Sequence, residues 1–229
     1  MRIVVVGGVA GGMSCAARAR RLDETAEIIV LERGDHVSFA NCGLPYYVGG
    51  EITDQQSLLL QTPASLRAAL DLDVRTRHEV IGLDATARTV TVRSEDAVEE
   101  LRYDALVLSP GATAVRPPIP GLDSARVHSL RSVGDAVRLA DVVDCGARRA
   151  VVLGAGFIGL EAAEALAARG IDVTVVELGD HVLPPLEPDL AAVVRAELER
   201  LGIAVAEGAA ATAIVQGPDR DTVVLSDGS

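Results

Sequence analysis

Two glycine-rich turns, each between an apolar run and a later acidic residue, carry the clearest chemical signal in this chain. The first turn spans Gly7–Gly12 and leads to Glu32. The second spans Gly154–Gly159 and leads to Glu177. Because glycine lacks a Cβ atom, such a turn lets backbone N–H groups at the start of a helix approach a pyrophosphate, and the later acid binds a ribose diol. The sequence therefore predicts two dinucleotide sites.

The second turn matches the dinucleotide-binding fingerprint more closely than the first. It has all three glycines, Gly154, Gly156 and Gly159. Its acid follows at close to the expected spacing of about 20 residues. In the first turn Val9 takes the middle glycine position, and neighbouring glycines compensate for it. The predicted nucleotide contacts of the first turn are Gly7, Val9, Ala10, Gly11 and Gly12.

The residues around Glu177 predict which dinucleotide the second site prefers. A carboxylate repels a ribose 2′-phosphate, and the following residues, Leu178–Asp180, include no arginine that would attract one. The second site is therefore expected to prefer NADH over NADPH.

Cys42 is the third candidate for chemistry. It lies in the segment Ser38–Tyr47, which also holds three of the chain's five aromatic residues. The only other cysteines are Cys15 and Cys145, too few and too scattered for a disulfide framework or a thiolate metal site. A thiolate in this segment would be a nucleophile or redox group. By residue type alone, the competing interpretation is a small buried side chain.

Together these motifs resemble the flavin-dependent pyridine nucleotide-disulfide oxidoreductases. Within them, the chain is most similar to the single-cysteine branch of coenzyme A-disulfide reductase, NADH oxidase and NADH peroxidase. The resemblance covers essentially all 229 residues. The motifs that carry it are the first glycine turn with Glu32, the segment Ser38–Tyr47, the segment Leu108–Gly111, and the second glycine turn with Phe157 and Glu161.

The resemblance implies an FAD bound by the first domain, an NAD(P)H bound by the second, and Cys42 beside the flavin as the catalytic residue. Hydride would pass from nicotinamide to flavin, and electrons from reduced flavin to sulfur. Beyond the first turn, the implied FAD contacts are Glu32, Arg33, Val80, Ser109, Pro110 and Gly111. The implied NADH contacts are Gly154, Gly156, Phe157, Ile158, Gly159, Glu161 and Glu177. No metal ion is expected.

The chain lacks two residues that some members of the family have, and this narrows the range of substrates that the resemblance implies. Relatives with a dithiol centre have a second cysteine five positions after the first, and here that position is Tyr47. NADH peroxidases and water-forming oxidases have a histidine in the first glycine turn, and the matching residue here is Ala10. The resemblance therefore favours coenzyme A disulfide, or a related small disulfide or persulfide, attacked by a single thiolate.

The helix after the first turn offers contacts for a phosphate-bearing substrate. Ser14, Arg18 and Arg21 are spaced i, i+4 and i+7, so they share one helical face. Coenzyme A carries a pyrophosphate and a 3′-phosphate, which arginine binds well. In coenzyme A-disulfide reductases, the positions matching Ser14, Arg21, Ser38 and Asn41 contact substrate. The predicted substrate-binding residues are Ser14, Arg18, Arg21, Ser38 and Asn41.

Two other functions are open at this point. One is an NADH oxidase or peroxidase in which oxygen or peroxide converts Cys42 to a sulfenic acid. The other is an inactive nucleotide-binding fragment, because members of the family continue past this length into an interface domain, through which the parent enzyme is expected to form a homodimer. The partner expected for an active chain is a small-molecule disulfide.

The order of apolar runs and turns predicts an α/β fold with two Rossmann-like dinucleotide-binding domains of the glutathione-reductase-like type. The first is predicted over residues 1–112, with a small antiparallel β insertion at about 74–103, where short alternating segments occur. The second is predicted over residues 113–229 and is expected to be incomplete. The proline-rich stretch Arg116–Gly121 is interpreted as the linker.

Local patterns predict further elements. Thr62 and Pro63 predict the N-cap and first residue of a helix. A second helix is predicted from Asp189 to Leu201, ended by Gly202, and a strand over Thr222–Leu225. In the helix after the first glycine turn, the residues predicted to face the sheet are Cys15, Ala16, Ala19 and Leu22.

Composition excludes several other classes of function. The formal net charge is −12, which disfavours binding to nucleic acid or anionic lipid. The longest apolar runs are far shorter than the ~20 residues that span a bilayer. No nucleic-acid partner, no membrane association and a cytoplasmic location are therefore expected.

Overall fold

The computed structural model describes residues 1–229, which divide into two compact units. The first unit comprises residues 1–41 and 56–113, and the second comprises residues 42–55 and 114–229. The segment 42–55 thus belongs to the second unit, although it lies between two parts of the first in the sequence.

The first unit is built on a parallel sheet with a small antiparallel sheet. Its strands are β1 (Arg2–Val6), β2 (Glu27–Leu31), β3 (Asp73–Arg75), β4 (Glu79–Asp84), β5 (Thr89–Arg93), β6 (Val98–Arg102) and β7 (Ala105–Leu108). Its helices are α1 (Ala10–Leu22) and α3 (Pro63–Leu70). The parallel sheet has the order β3-β2-β1-β7, and β4, β5 and β6 form the antiparallel sheet in that order.

The two faces of the parallel sheet are covered by different elements. Because side chains alternate along a strand, Val5 and Val30 belong to a core cluster on one face that includes Met13 and Ala16 of α1. On the other face, Val4, Ile29 and Leu31 cluster with Val90 and Val92 of β5. Because both faces of β1 and β2 are covered, the residues after Arg2 in β1 and after Glu27 in β2 are all apolar.

The buried face of α1 agrees with the prediction at two of four residues. Cys15 is half-buried and does not belong to the core cluster. Ala16 is fully buried and Ala19 packs partly against the core, but Leu22 is 70% exposed. In its place the helix buries Arg20. The prediction for Leu22 is wrong because Leu22 is the last residue of α1, where the chain turns away at Asp23.

The predicted start of α3 and the predicted insertion are confirmed, with one boundary shift. The side chain of Thr62 accepts a hydrogen bond from the Ser65 backbone N–H at 3.1 Å, and Pro63 is the first helical residue. The antiparallel strands lie within 79–102. Val74, at the predicted edge of the insertion, instead belongs to β3 of the parallel sheet.

The second unit repeats the parallel architecture. Its strands are β8 (Arg149–Leu153), β9 (Asp172–Val176), β10 (Ala204–Ala206), β11 (Ala211–Val215) and β12 (Thr222–Leu225). Its helices are α2 (Leu44–Val48), α4 (Val133–Asp144), α5 (Phe157–Ala168) and α6 (Pro188–Arg200). The parallel sheet has the order β10-β9-β8, and β11 and β12 form a hairpin.

The predicted elements of this second unit are also found. Helix α6 and strand β12 confirm the helix predicted from Asp189 and the strand predicted over Thr222–Leu225. Gly202 has a φ of 79° just past the end of α6, a conformation typical of a glycine helix stop. The α/β class with two parallel sheets is therefore confirmed. No helix is long and apolar enough to cross a membrane, and no group of three or more His, Cys, Asp or Glu side chains could hold a metal ion.

Candidate functional site

The first glycine turn connects the end of β1 to the start of α1. Gly7 has a φ of 100°, and a Cβ atom there would lie 1.9 Å from the carbonyl oxygen of Ser109. A Cβ atom on Gly12 would lie 1.8 Å from the carbonyl oxygen of Gly7. Any side chain at either position would therefore push α1 away from the sheet or displace the loop after β7.

The N-terminus of α1 is left open by this turn. Val9 occupies the N-cap position and supplies no side-chain cap, and no acidic residue lies in the first turn. The first N–H groups of a helix have no partner within the helix, so they are available to an anion. Ala10 and Gly11 are exposed at this end.

The Glu32 carboxylate fixes the first turn from the end of β2. Its Oε2 atom accepts a hydrogen bond from the Gly8 backbone N–H at 2.7 Å, and its Oε1 atom accepts one from the Gly34 N–H at 2.7 Å. A carboxylate can accept about four hydrogen bonds, so capacity remains for ribose hydroxyls.

A cleft of about 90 Å³ lies beside Glu32 and is lined by several of the predicted FAD contacts. Arg33 is exposed there and forms no ion pair. His78, one of the lining residues, was not predicted from the sequence. Its backbone N–H donates to the Glu32 carbonyl oxygen at 2.9 Å. The full lining is Val6, Gly7, Leu31, Glu32, Arg33, His78, Glu79, Val80 and Pro110.

The loop after β7 completes the surroundings of the first turn. The Ser109 backbone N–H donates to the Val6 carbonyl oxygen at 2.8 Å. A Cβ atom on Gly11 would lie 2.6 Å from the Ser109 hydroxyl oxygen. Gly111 has a φ of 69°, a left-handed conformation that glycine adopts without strain. The structure thus brings Ser109 together with the glycine turn.

The second glycine turn has almost the same geometry as the first. Gly154 follows β8 with a φ of 103°, and a Cβ atom on Gly159 would lie 2.1 Å from the Gly154 carbonyl oxygen. The Oε2 atom of Glu177 accepts from the Ala155 N–H at 2.7 Å, and its Oε1 atom accepts from the Gly179 N–H at 2.8 Å. Each acid therefore ties its own glycine turn to the loop that follows it.

Open space lies in front of the second turn. A Cβ atom built on Gly154 or Gly156 would meet no atom within 4 Å. Gly156 is also the N-cap of α5, with no side-chain cap. Phe157 and Ile158 are 64% and 59% exposed at the same helix end. Glu161, one turn into the helix, is also exposed. The N–H groups of this helix end thus face a free volume beside exposed apolar side chains.

The predicted substrate residues lie in the first unit. Ser14, Arg18 and Arg21 are exposed on α1, and neither arginine forms an ion pair. The Ser38 backbone N–H donates to the Gly8 carbonyl oxygen at 2.9 Å, so Ser38 lies next to the first turn. The Oδ1 atom of Asn41 is buried and accepts no hydrogen bond. An unsatisfied buried acceptor of this kind suits a donor brought by a ligand.

Cys42 is exposed and lies in a 3₁₀ turn over Asn41–Gly43 that leads into α2. It is the first residue of the segment that belongs to the second unit. Cys145 is also exposed, and Cys15 is half-buried. The interpretation of Cys42 as a buried structural residue is therefore wrong, and its thiol is accessible to a reagent or substrate.

Comparisons with known proteins agree with this geometry. The sequence model of the pyridine nucleotide-disulphide oxidoreductase family matches residues 1–229. The coenzyme A disulfide reductase of Staphylococcus haemolyticus is 40% identical over 201 residues, which cover 86% of this chain and 45% of that protein.

Two solved structures superpose on the whole chain. The crystal structure of reduced Bacillus anthracis CoADR-RHD has a TM-score of 0.95 and 42% identity, and the match covers 41% of that chain. The NAD-dependent persulfide reductase from A. fulgidus has a TM-score of 0.96 and 38% identity, with 43% of that chain covered. This chain therefore spans less than half the length of each of these three proteins.

Proposed function

Since this chain belongs to the pyridine nucleotide-disulphide oxidoreductase family, we propose that it supplies the FAD site, the NADH site and the reactive thiol of a reductase acting on coenzyme A disulfide or a related small disulfide or persulfide. The observation that carries the proposal is the duplicated turn: Glu32 and Glu177 each hold a glycine turn at the N-terminus of a helix. An exposed thiol, Cys42, accompanies the pair.

The first unit is the proposed FAD site. The open N-terminus of α1 suits the pyrophosphate, and Glu32 suits the adenosine ribose. Val80 and Arg33 line the cleft beside Glu32, where an adenine would lie against an apolar side chain and near a free cation. When bound, FAD would supply a two-electron acceptor for hydride and a donor to sulfur.

The second unit is the proposed NADH site. Free space in front of Gly156 suits a pyrophosphate at the start of α5, and exposed Phe157 offers an apolar surface to an aromatic ring. Glu177 would accept hydrogen bonds from the ribose hydroxyls and would repel a 2′-phosphate. These contacts support a preference for NADH over NADPH.

The proposed thiol chemistry is exchange at a single sulfur. The Cys42 thiolate attacks one sulfur of the disulfide, an S–S bond forms to Cys42, and the first coenzyme A leaves as a thiolate. Two electrons that originate from NADH then break the mixed disulfide, release the second thiolate and regenerate the Cys42 thiolate. One NADH and one proton are consumed for each disulfide converted to two thiols.

The α1 surface is the proposed contact for substrate phosphates. Arg18 and Arg21 are exposed cations without acidic partners, which suits binding to a pyrophosphate or a 3′-phosphate. Asn41 has a buried acceptor without a donor, which suits an N–H or O–H group of the substrate. The names of the relatives, coenzyme A disulfide reductase and persulfide reductase, fit the same substrate class.

NADH consumption by the FAD-loaded protein tests the proposal. With coenzyme A disulfide under argon, NADH should be oxidised one for one, and Cys42→Ser should abolish this reaction while FAD stays bound. Cys145→Ser is the matched control, because Cys145 is also exposed but lies at the end of α4. Oxidation of NADH by oxygen alone, with no response to the disulfide, would instead support an NADH oxidase.

A further inference from the structure

The carboxyl ends of three helices of the second unit meet at one side chain, Arg169. Arg169 is the C-cap of α5. Its Nη1 atom donates to the carbonyl oxygen of Val48, the last residue of α2, at 3.0 Å. Its Nη2 atom forms an ion pair with Asp144, the last residue of α4. A cation placed here complements the negative ends of three helix dipoles.

Arg169 satisfies the one carbonyl of the α2 terminus that the backbone leaves unpaired. The last carbonyls of a helix have no partner within the helix. At the end of α2, the Pro45, Tyr46 and Tyr47 carbonyls accept from backbone N–H groups at 2.8–3.1 Å. Val48 is 0% exposed, so water does not replace a lost partner at its carbonyl. Without the guanidinium, this acceptor would be orphaned.

The short α2 helix connects Arg169 to the reactive thiol. Cys42 lies in the 3₁₀ turn that runs directly into α2, and Gly43, Leu44 and Val48 are buried. A helix of five residues has little stability of its own, so its place depends on tertiary contacts. Helix α2 packs against α4 and α5, the same two helices that Arg169 joins.

Helix α5 carries a functional feature at each end. Gly156 of the second glycine turn is its N-cap, and Arg169 is its C-cap. We propose that Arg169 is a positioning residue that holds residues 42–48, which comprise Cys42 and α2, on the helix that carries the second glycine turn. The inference rests on the proposed function only in treating Cys42 as the thiol that reacts with substrate.

Three variants distinguish an effect on the position of α2 from a general loss of stability. Arg169→Met removes the hydrogen bond and the ion pair, and Arg169→Lys keeps one charged donor. Arg138→Met is the matched control, because the exposed Arg138 forms an ion pair with Asp135 in the first turn of α4, at the opposite end from Asp144. Amide hydrogen exchange over residues 44–52 reports on α2. Peptide mass spectrometry measures the reaction of Cys42 with coenzyme A disulfide and with iodoacetamide.

In Arg169→Met, exchange over residues 44–52 should speed up about tenfold, as expected when a buried acceptor is orphaned. Reaction with coenzyme A disulfide, which needs an oriented thiol, should slow about fivefold, whereas the iodoacetamide rate should change less than about twofold. Arg169→Lys should recover part of both effects, and Arg138→Met should match the native chain.

Two results would overturn the inference: unchanged exchange over residues 44–52 in Arg169→Met, or equal changes in both Cys42 rates that merely follow a lower melting temperature. If Cys42 of the native chain does not react with coenzyme A disulfide, the proposed substrate is wrong. The exchange measurement then still decides whether Arg169 holds α2.

Discussion

The Ala155 backbone N–H donates a 2.7 Å hydrogen bond to the Glu177 carboxylate, 22 residues further along the chain. This bond joins the glycine turn after β8 to the end of β9. The Glu32 carboxylate makes the equivalent bond to Gly8 in the first unit, also at 2.7 Å. In both units the acid therefore has a structural task, orienting the turn, in addition to its proposed contact with ribose.

Replacement of Glu177 by alanine should weaken NADH binding and reduce discrimination against NADPH. Loss of a charge-assisted bond to the turn and of the ribose contact should lower NADH affinity about tenfold or more, since such bonds contribute ~1.5–3 kcal/mol. NADPH affinity should fall less, because the repulsion of its 2′-phosphate is also removed. Calorimetric titration with both nucleotides measures this, with Glu164→Gln, an exposed glutamate of α5, as the control.

The glycine turns and their acids were predictable from sequence because every part of each motif lies within one β-strand, one turn and one helix. The roles of Arg20 and Arg169 were not predictable, because each guanidinium bonds at least one backbone carbonyl that is 50 or more residues away in the sequence. The Arg20 guanidinium, for example, donates to the carbonyl of Leu70, 50 residues away, at 2.9 Å. Nothing in the local pattern around either arginine distinguishes it from an exposed one.

The Cys42 segment shows a second limit of sequence reasoning. The composition of Ser38–Tyr47 marked that segment as unusual, and the resemblance supplied a role for the thiol, but no sequence pattern indicated that residues 42–55 belong to the second unit. That grouping comes from the packing of α2 against α4 and α5. Likewise Val80 was expected only through the resemblance, and the structure places it in the cleft beside Glu32.

Replacing two glycines of the second turn by alanine should have different effects, one on the free energy of unfolding and the other on NADH affinity. A Cβ atom on Gly159 would overlap the Gly154 carbonyl oxygen, so Gly159→Ala should lower the free energy of unfolding by about 3 kcal/mol. A Cβ atom on Gly156 meets nothing within 4 Å, so Gly156→Ala should unfold normally in urea. It should nevertheless lose NADH affinity about tenfold, because the methyl group enters the space proposed for the pyrophosphate. Normal NADH binding by Gly156→Ala would contradict this placement.

Replacing two arginines of α1 should have different effects, one on the free energy of unfolding and the other on substrate binding. Arg20 is buried, and its guanidinium donates to the carbonyls of Leu70, Asp71 and Glu24 at 2.8–2.9 Å. Arg20→Met should destabilise the chain by about 3 kcal/mol in urea unfolding, because three backbone carbonyls lose the hydrogen bonds of one buried guanidinium. Arg18→Met should leave stability unchanged and raise the KM for coenzyme A disulfide several-fold. An equal loss of stability in both variants would contradict the assignment.

Acid should weaken the contact between the β11–β12 hairpin and the loop before α4. The Ser124 hydroxyl, which donates to Asp221 at 2.5 Å, and the nearby Arg126 guanidinium lower the pKa of the Asp221 carboxyl from its usual 3.8. A lowered pKa in the folded state gives stability that is complete above pH 3.8 and is lost as the pH falls through the folded-state value. The melting temperature of the native chain should therefore fall more steeply than that of Asp221→Asn below about pH 4. Parallel melting curves would show that Asp221 contributes nothing.

The absorbance spectrum of the FAD-loaded protein tests the central claim, that Cys42 is the thiol that exchanges electrons with the flavin. When Cys42 has first been converted to its mixed disulfide by coenzyme A disulfide, anaerobic addition of one equivalent of NADH should regenerate the Cys42 thiolate while leaving the flavin oxidised, and so produce a long-wavelength thiolate-to-flavin charge-transfer band. The band should be absent in Cys42→Ser, which should still bind FAD, and present in Cys145→Ser. A band of equal strength in Cys42→Ser, or NADH-dependent disulfide reduction by that variant at the native rate, would contradict the account.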